Sequence, residues 1–172
     1  MFSYLRSRSE LWVAMQFSAL TRYHRVFRSC NRAFHQDRSA RLGRWCGTCE
    51  KCCFIDLILA PFMSAAELRG VFDGHEPLDD PSLENRFFDL LGLDPYDKPF
   101  ECVGDAGECR AALLDAAVLP DRQDSPILQA LADYLHNEPG LPVEVVTGFL
   151  SPLGDHHIPE RYAPSDLLVR AH

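Results

Sequence analysis

The sequence predicts a mainly α-helical fold with at most one or two short strands. Helix start signals recur along the chain, and apolar residues at helical spacing follow them. The alternation of strands and helices typical of an α/β nucleotide-binding domain is missing, as is any glycine-rich phosphate loop. With 172 residues, of which 47% are hydrophobic and 24% charged, the chain can bury a core of its own. This composition excludes wholesale disorder.

The first elements follow from local signals. Ser7 and Glu10 form a capping box, so we predict an amphipathic helix from about Arg8 to Tyr23. Residues 28–45 are polar and predict a loop. The apolar run from Cys52 to Ala60 predicts a buried helix that ends before the following proline.

A second capping box predicts the next helix. Ser64 and Glu67 have the required spacing, and the helix is expected to end near Gly70 or Gly74. Glycine is favoured there because it adopts the left-handed conformation that often ends a helix.

Three more helices are expected in the second half. Asp80-Pro81 combines an N-cap with proline at the first helical position, and Gly92 follows the end of that helix. Asp105 is predicted to cap the next helix, and Ser125-Pro126 repeats the cap-plus-proline signal. Residues 143–146 could form one short strand.

Charge divides the chain unevenly. Residues 1–53 contain 10 of the 17 Lys and Arg residues and three acids, whereas residues 54–172 contain 7 bases and 22 acids. The basic part can attract phosphate-bearing ligands or an acidic partner, or the two parts can face and neutralise each other. We divide the chain into a basic helix with a cysteine loop (1–53), a helical region (54–150) and an irregular tail (151–172), which together form one structural unit.

The sequence also bears on location. The first residues lack the apolar segment of a secretory signal. The longest apolar stretch, Cys52 to Met63, is about six residues too short to span a bilayer. We therefore expect a cytoplasmic protein that does not insert into membranes.

A cysteine cluster is the most specific chemical signal. Cys46, Cys49 and Cys52 form a Cys-x2-Cys-x2-Cys run, and Cys30 lies sixteen residues before it. Four thiolates suit tetrahedral Zn²⁺, and a closed set of four leaves no position for a reacting water. The prediction is a structural zinc that stabilises a loop with little apolar material of its own.

Several alternatives to this zinc site remain. Cys53 competes as a ligand, although it is expected to turn into the following helix. Cysteines at this spacing also hold iron–sulfur clusters, or they could be unligated buried thiols. Disulfides require an oxidising compartment. The pair His156-His157 could bind a metal or could lie on a solvated loop.

The motifs resemble those of known enzymes. Ser29-Cys30-Asn31 with the cysteine run resembles the zinc loop of the 7-cyano-7-deazaguanine synthase group of ATP pyrophosphatases. A closer resemblance is to the C-terminal part of the UDP-N-acetylmuramoyl-L-alanyl-L-glutamate epimerase family, over roughly residues 5–160. It is carried by the segments 27–34 (FRSCNRAF), 45–49 (WCGTC), 51–52 (KC), 59–62 (LAPF) and 98–104 (KPFECVG).

This resemblance implies an isomerase of peptidoglycan-precursor synthesis, and so of cell-wall biogenesis and cell shape. Such an enzyme uses ATP and Mg²⁺ to activate the terminal L-glutamate of a UDP-linked muramoyl dipeptide and inverts it to D-glutamate. Family members are longer, and their N-terminal part carries the ATP-pyrophosphatase domain. The chain resembles the back portion, as a truncated product, one subunit of a split enzyme or an excised domain, and we expect it to be inactive without the ATP-binding part.

Proton carriers are predicted on the segment around Cys102. This segment is expected to be a loop between two helices, where Gly104 and Gly107 let the backbone approach a ligand. Cys102 is a candidate because the pKa of a thiol is easily lowered toward working pH, and Glu101 is the alternative. Cys102 and Cys109 could instead be small buried hydrophobes.

Two functions of other classes compete with the epimerase. The chain could be a non-catalytic zinc module that binds nucleic acid through its arginines, with aromatic residues that stack on bases. It could also be a helical domain that binds a protein partner, although nucleic acid is disfavoured by the acidic remainder. The residues of the first alternative are Arg22, Arg25, Arg28, Arg32, Arg38, Arg41 and Arg44 with Tyr23, Phe27, Phe34 and Trp45.

Overall fold

The structure is a computed structural model that describes residues 3–93, 104–142, 144–154 and 158–162. Over these residues the chain is helical and contains no strand, which confirms the predicted fold class. Its α-helices are α1 (Glu10–Ser18), α2 (Glu50–Leu59), α3 (Ala65–Val71), α4 (Glu84–Leu91), α5 (Ala106–Ala117), α6 (Pro126–Asn137) and α7 (Val146–Phe149). None of the described helices is long and apolar enough to cross a membrane.

Helices α2 and α5 form the centre of the molecule. Helix α2 packs against α1, α4 and α5, and α5 also contacts α6 and α7. Their central position follows from their composition, since both carry apolar side chains around most of their circumference. Phe54, Leu57 and Leu113 are fully buried between them and their neighbours.

The first helix is shorter than predicted. It begins after Ser9, whose hydroxyl accepts the backbone N–H of Trp12, so the capping box predicted at Ser7 is wrong. Ser7 is buried, and its carbonyl accepts the N–H of Leu153 from the far end of the chain. Tertiary contact therefore moves the start of the helix, and the segment after Ser18 continues as turns and a 3₁₀ turn at Thr21–Tyr23.

The other predicted helix starts are present. The reciprocal capping box of Ser64 and Glu67 forms at α3, and the side chains of Asp105 and Ser125 cap α5 and α6. Asp80 caps a 3₁₀ turn, Pro81–Leu83, which leads directly into α4. Helix α4 then ends at Gly92, which has the left-handed φ of 63° expected of a C-cap glycine.

The short strand predicted at 143–146 is wrong within the described residues. Val146 instead begins α7, where its buried side chain contacts the core. A lone β-branched run has no partner strand here, so its backbone groups are satisfied by a helical turn instead. Of the predicted tail, residues 151–154 are irregular and Glu160–Tyr162 form a 3₁₀ turn.

Candidate metal centre

Four cysteine side chains converge at one point of the structure. The sulfur atoms of Cys30, Cys46, Cys49 and Cys52 all lie within 4.8 Å of one another. The sulfur of Cys52 is 3.5 Å from that of Cys49 and 3.6 Å from that of Cys46. A tetrahedral zinc with bonds of about 2.3 Å requires sulfur–sulfur separations of about 3.8 Å. The group could therefore hold one metal ion without rearrangement of the backbone.

Two parts of the chain build this centre. Cys49 is the residue before α2, and Cys52 lies in its first turn, so the positive end of the helix dipole faces the sulfur atoms. Cys30 and Cys46 close the polar loop between them. The backbone N–H of Cys46 donates to the sulfur of Cys30, and the N–H of Thr48 donates to that of Cys46. Such N–H···S contacts stabilise thiolate charge.

Burial and neighbouring sulfurs shift the pKa values of three of these thiols. A hydrogen bond with the Cys52 thiol lowers the pKa of Cys49 to about 4, and the same contact raises that of Cys52. Burial raises the pKa of Cys30. The close spacing that shifts these pKa values also brings four sulfur donors to one point, where a bound metal ion would displace the thiol protons.

Cys53 does not join the four. It is fully buried on α2 and faces the core, and burial raises the pKa of its thiol. The expectation that it turns into the helix is confirmed. Cys109 is likewise buried, within α5.

The basic segment is not neutralised by the acidic part within the described residues. Four arginines beyond residue 53 pair with carboxylates: Arg69, Arg86, Arg110 and Arg122. Among described residues, no arginine of segment 22–44 makes an ion pair. Within the part of the chain that the structure describes, carboxylates therefore do not neutralise the arginines of segment 22–44.

A buried charge cluster was not foreseen from the sequence. Asp56 and Glu76 are fully buried, and the Arg122 guanidinium donates to Glu76 over 2.5 Å. The backbone N–H of Leu78 donates to Asp56 over 2.9 Å. Burial raises the pKa of Asp56 well above its ordinary value, and the Glu76 charge raises it further. The one signal for this cluster in the sequence is Asp56, an acidic residue within the apolar stretch that forms α2.

The predicted proton carriers Glu101 and Cys102 lie outside the described residues, as does the His156-His157 pair. Gly104 and Gly107, which border this segment, lie close to side chains of other parts of the protein. A Cβ on Gly104 would lie 2.6 Å from the Phe54 ring, and one on Gly107 would meet the Glu144 carboxylate. In the described structure these glycines serve packing.

The fold and the site together define a class of protein: a helical domain in which four cysteines from the first third of the chain could bind one metal ion. Comparison with known families then identifies the particular one. The family model of the MurL C-terminal domain matches residues 26–143, and the chain belongs to that family.

Three relatives of the chain carry the same protein name. Proteins named UDP-N-acetyl-alpha-D-muramoyl-L-alanyl-L-glutamate epimerase from a Micromonospora species, Xanthomonas oryzae pv. oryzae and Salinispora tropica are 39%, 38% and 38% identical to the chain. The alignments cover 94%, 92% and 94% of this chain but only 35%, 35% and 34% of the relatives. The chain thus spans about a third of their length. No solved structure matches it.

Proposed function

We propose that this chain is the C-terminal portion of an epimerase that converts the terminal L-glutamate of UDP-N-acetylmuramoyl-L-alanyl-L-glutamate to D-glutamate. The observation that carries the proposal is the alignment of more than nine-tenths of the chain with relatives bearing that name. Its place would be the synthesis of peptidoglycan precursors, in the cytoplasm, where ATP and nucleotide-linked sugars are available.

We further propose that the metal is a structural Zn²⁺ held by Cys30, Cys46, Cys49 and Cys52. The sulfur spacing suits a tetrahedral ion. A set of four protein ligands leaves no coordination position for substrate, so the metal would stabilise the fold rather than take part in the reaction.

The reaction explains why a further domain is required. Loss of the α-proton from a carboxylate places a carbanion beside an existing negative charge. Transfer of AMP from ATP to the carboxylate, with release of pyrophosphate, removes that charge and lets the carbonyl accept electron density. A base on one face then takes the proton and an acid on the other returns one. Water then hydrolyses the acyl-adenylate, which releases AMP and restores the carboxylate of the D-glutamyl product. We assign ATP and Mg²⁺ binding to an ATP-pyrophosphatase domain or subunit that completes the enzyme.

Within this chain, Cys102 is the proposed proton carrier, with Glu101 as the alternative. The proposal rests on their chemistry and on their position just before α5. A thiol or a carboxyl whose pKa lies near the working pH can both accept and return a proton. The carrier on the opposite face would come from the other part of the enzyme.

A domain exchange tests the function. The chain replaces the matching C-terminal third of the Xanthomonas relative, and the product is assayed with substrate, ATP and Mg²⁺ in deuterated water. We expect conversion to D-glutamate with deuterium at the α-carbon and release of AMP. The chain alone should show neither.

The control is the same hybrid with Cys49→Ser, which should lose metal and activity together. A hybrid that folds, retains its zinc and releases no AMP and no D-glutamate would contradict the proposal. Epimerisation by the chain alone would contradict the assignment of ATP binding to another domain.

A further inference from the structure

A cleft of about 270 Å³ opens beside the metal centre. Its lining includes Arg32 and Arg44 from the cysteine loop, with Trp45, Phe72 and Asp73 on the surrounding walls. Trp45 and Phe72 pack against each other with ring centroids 5.1 Å apart, so one wall of the cleft belongs to the core. The cleft is therefore apolar on its core side and cationic on its loop side.

Both arginines lie close in sequence to candidate metal ligands. Arg32 follows Cys30 by two residues, and Arg44 precedes Cys46 by two residues, so each is tied to one of the candidate ligands. The backbone N–H of Leu42 donates to the Arg32 carbonyl over 3.1 Å and brings the two ends of the loop together. Closure of the centre thus places two guanidinium groups on the same cleft.

Neither guanidinium is satisfied by a carboxylate among the described residues. Both arginines are exposed, whereas Arg110 and Arg122 form ion pairs with Glu144 and Glu76. Asp73 lines the same cleft, but no ion pair within 4.0 Å joins it to either arginine. Free guanidinium groups with their planar donors are suited to forked contacts with phosphate oxygens.

Residues 1–53 keep a positive charge balance even when the metal centre is filled. A divalent ion with four thiolates carries a formal charge of −2. Residues 1–53 contain 10 bases and three acids, a balance of +7, so the segment with a filled centre remains at +5. The attraction for an anion in the cleft therefore rests on Arg32 and Arg44 themselves, within a segment that keeps a positive balance.

We propose that this cleft binds the diphosphate group of a nucleotide and, if the proposed function holds, that of the UDP-linked substrate. Arg32 and Arg44 hold the phosphate oxygens, and Asp73 accepts a hydrogen bond from a ribose hydroxyl. The volume lies just below the roughly 300 Å³ at which small-molecule sites begin. It takes the diphosphate and the adjoining ribose.

Calorimetric titration of the zinc-loaded chain with UDP, ADP and inorganic pyrophosphate tests this site. We expect UDP and pyrophosphate to bind with dissociation constants on the order of 0.1–1 mM. Arg32→Ala and Arg44→Ala should each weaken UDP at least about tenfold, the loss expected for a charge-assisted contact. Arg38→Ala is the matched control, since Arg38 is exposed in the same loop but does not line the cleft.

Unchanged zinc content and circular dichroism show that each variant remains folded, and Arg32→Lys and Arg44→Lys should bind with intermediate affinity. The proposal would be overturned if neither UDP nor pyrophosphate bound at about 10 mM ligand, a concentration that corresponds to a binding free energy of about −3 kcal/mol. An equal loss with Arg38→Ala would also overturn it, because binding would then reflect diffuse charge. ADP binding more than tenfold tighter than UDP would overturn the assignment of the cleft to the UDP-linked substrate.

This site and the proposed function can fail separately. If the hybrid enzyme epimerises but Arg44→Ala leaves its KM for substrate unchanged, the function stands and the cleft assignment fails. If the chain binds UDP through both arginines but the hybrid is inert, the nucleotide site stands and the epimerase proposal fails.

Discussion

Asp56 shows at the scale of one residue how burial controls protonation. One of its carboxylate oxygens accepts the N–H of Leu78, while the other is buried without a partner among the described atoms. Glu76 lies close enough for its charge to act on Asp56, and Arg122 pairs with Glu76. Arg122 and Arg69 both lie within 4.0 Å of Glu76, and neither makes an ion pair with Asp56 among the described residues. Burial and the Glu76 charge therefore hold the pKa of Asp56 well above its ordinary value.

We therefore predict that Asp56→Asn stabilises the chain increasingly as pH rises. An acid with a raised folded-state pKa contributes stability that is complete below its unfolded pKa of about 4 and is lost as pH rises through the folded pKa. Asparagine keeps the acceptor for Leu78 and cannot ionise. The melting temperature of the variant, relative to the parent, should rise between pH 5.5 and pH 8.5.

The matched control for this variant is Asp115→Asn, an exposed aspartate on α5. It should change the free energy of unfolding by no more than about 0.5 kcal/mol at either pH. A difference between Asp56→Asn and the parent that does not vary with pH would show that Asp56 is ionised in the folded chain.

A second prediction at this scale concerns the proton carriers. In the hybrid enzyme, Cys102→Ser and Glu101→Gln should each lower epimerisation about 10²-fold or more if the group transfers a proton, while AMP release continues. Glu138→Gln, on an exposed residue after α6, is the control. If both variants exchange the α-proton at the unmodified rate, the segment is structural and the base lies elsewhere.

At the scale of elements, sequence signals succeeded where one side chain and its own backbone decide the outcome. Ser64, Asp105 and Ser125 cap the helices predicted for them, because a cap needs only a donor two or three residues ahead. The start of α1 was displaced because the backbone carbonyl of Ser7 accepts the N–H of Leu153 and so does not accept a bond within the helix. No local sequence pattern reveals this contact. The strand prediction failed for the same kind of reason, since a strand depends on a partner elsewhere in the chain.

Gly104 packs against helix α2, and we expect substitution at this position to reduce the stability of the fold strongly. It has a φ of 67°, and an added Cβ would lie 2.6 Å from two carbons of the Phe54 ring on α2. Both the left-handed backbone and the close approach disfavour alanine, so Gly104→Ala should lower the free energy of unfolding by about 2 kcal/mol or more. Urea unfolding measures this loss.

Gly70→Ala provides the matched control because Gly70 lies within α3 and nothing lies within 4 Å of the position that an added Cβ would take. Alanine should be neutral there or stabilise by up to about 1 kcal/mol. Equal effects of the two substitutions would contradict the tight packing of residue 104 on α2.

At the scale of the whole molecule, the cysteine centre joins the basic segment to the helical core. Cys49 and Cys52 belong to the start of α2, the central helix, and Cys30 and Cys46 belong to the loop. This centre could be predicted because its spacing is local and its chemistry specific. The Asp56–Glu76–Arg122 cluster could not, since its members are brought together by the packing of separate elements.

Removal of a single ligand should therefore affect the whole fold. Cys49→Ala is expected to lose the metal and to lower the melting temperature by more than about 10 °C, since several kcal/mol of binding free energy stabilise the folded state. Cys53→Ala, its buried neighbour on α2, should keep the metal and lose only a few degrees. Equal metal loss in both variants would show that Cys53 is a ligand.

Elemental analysis of the purified chain tests most directly the claim that a zinc centre organises this domain. We predict about one zinc per chain, retained through dialysis and removed by a chelator together with cooperative unfolding. Stoichiometric iron with visible absorption, or a metal-free chain that unfolds at the same temperature as the purified protein, would contradict it.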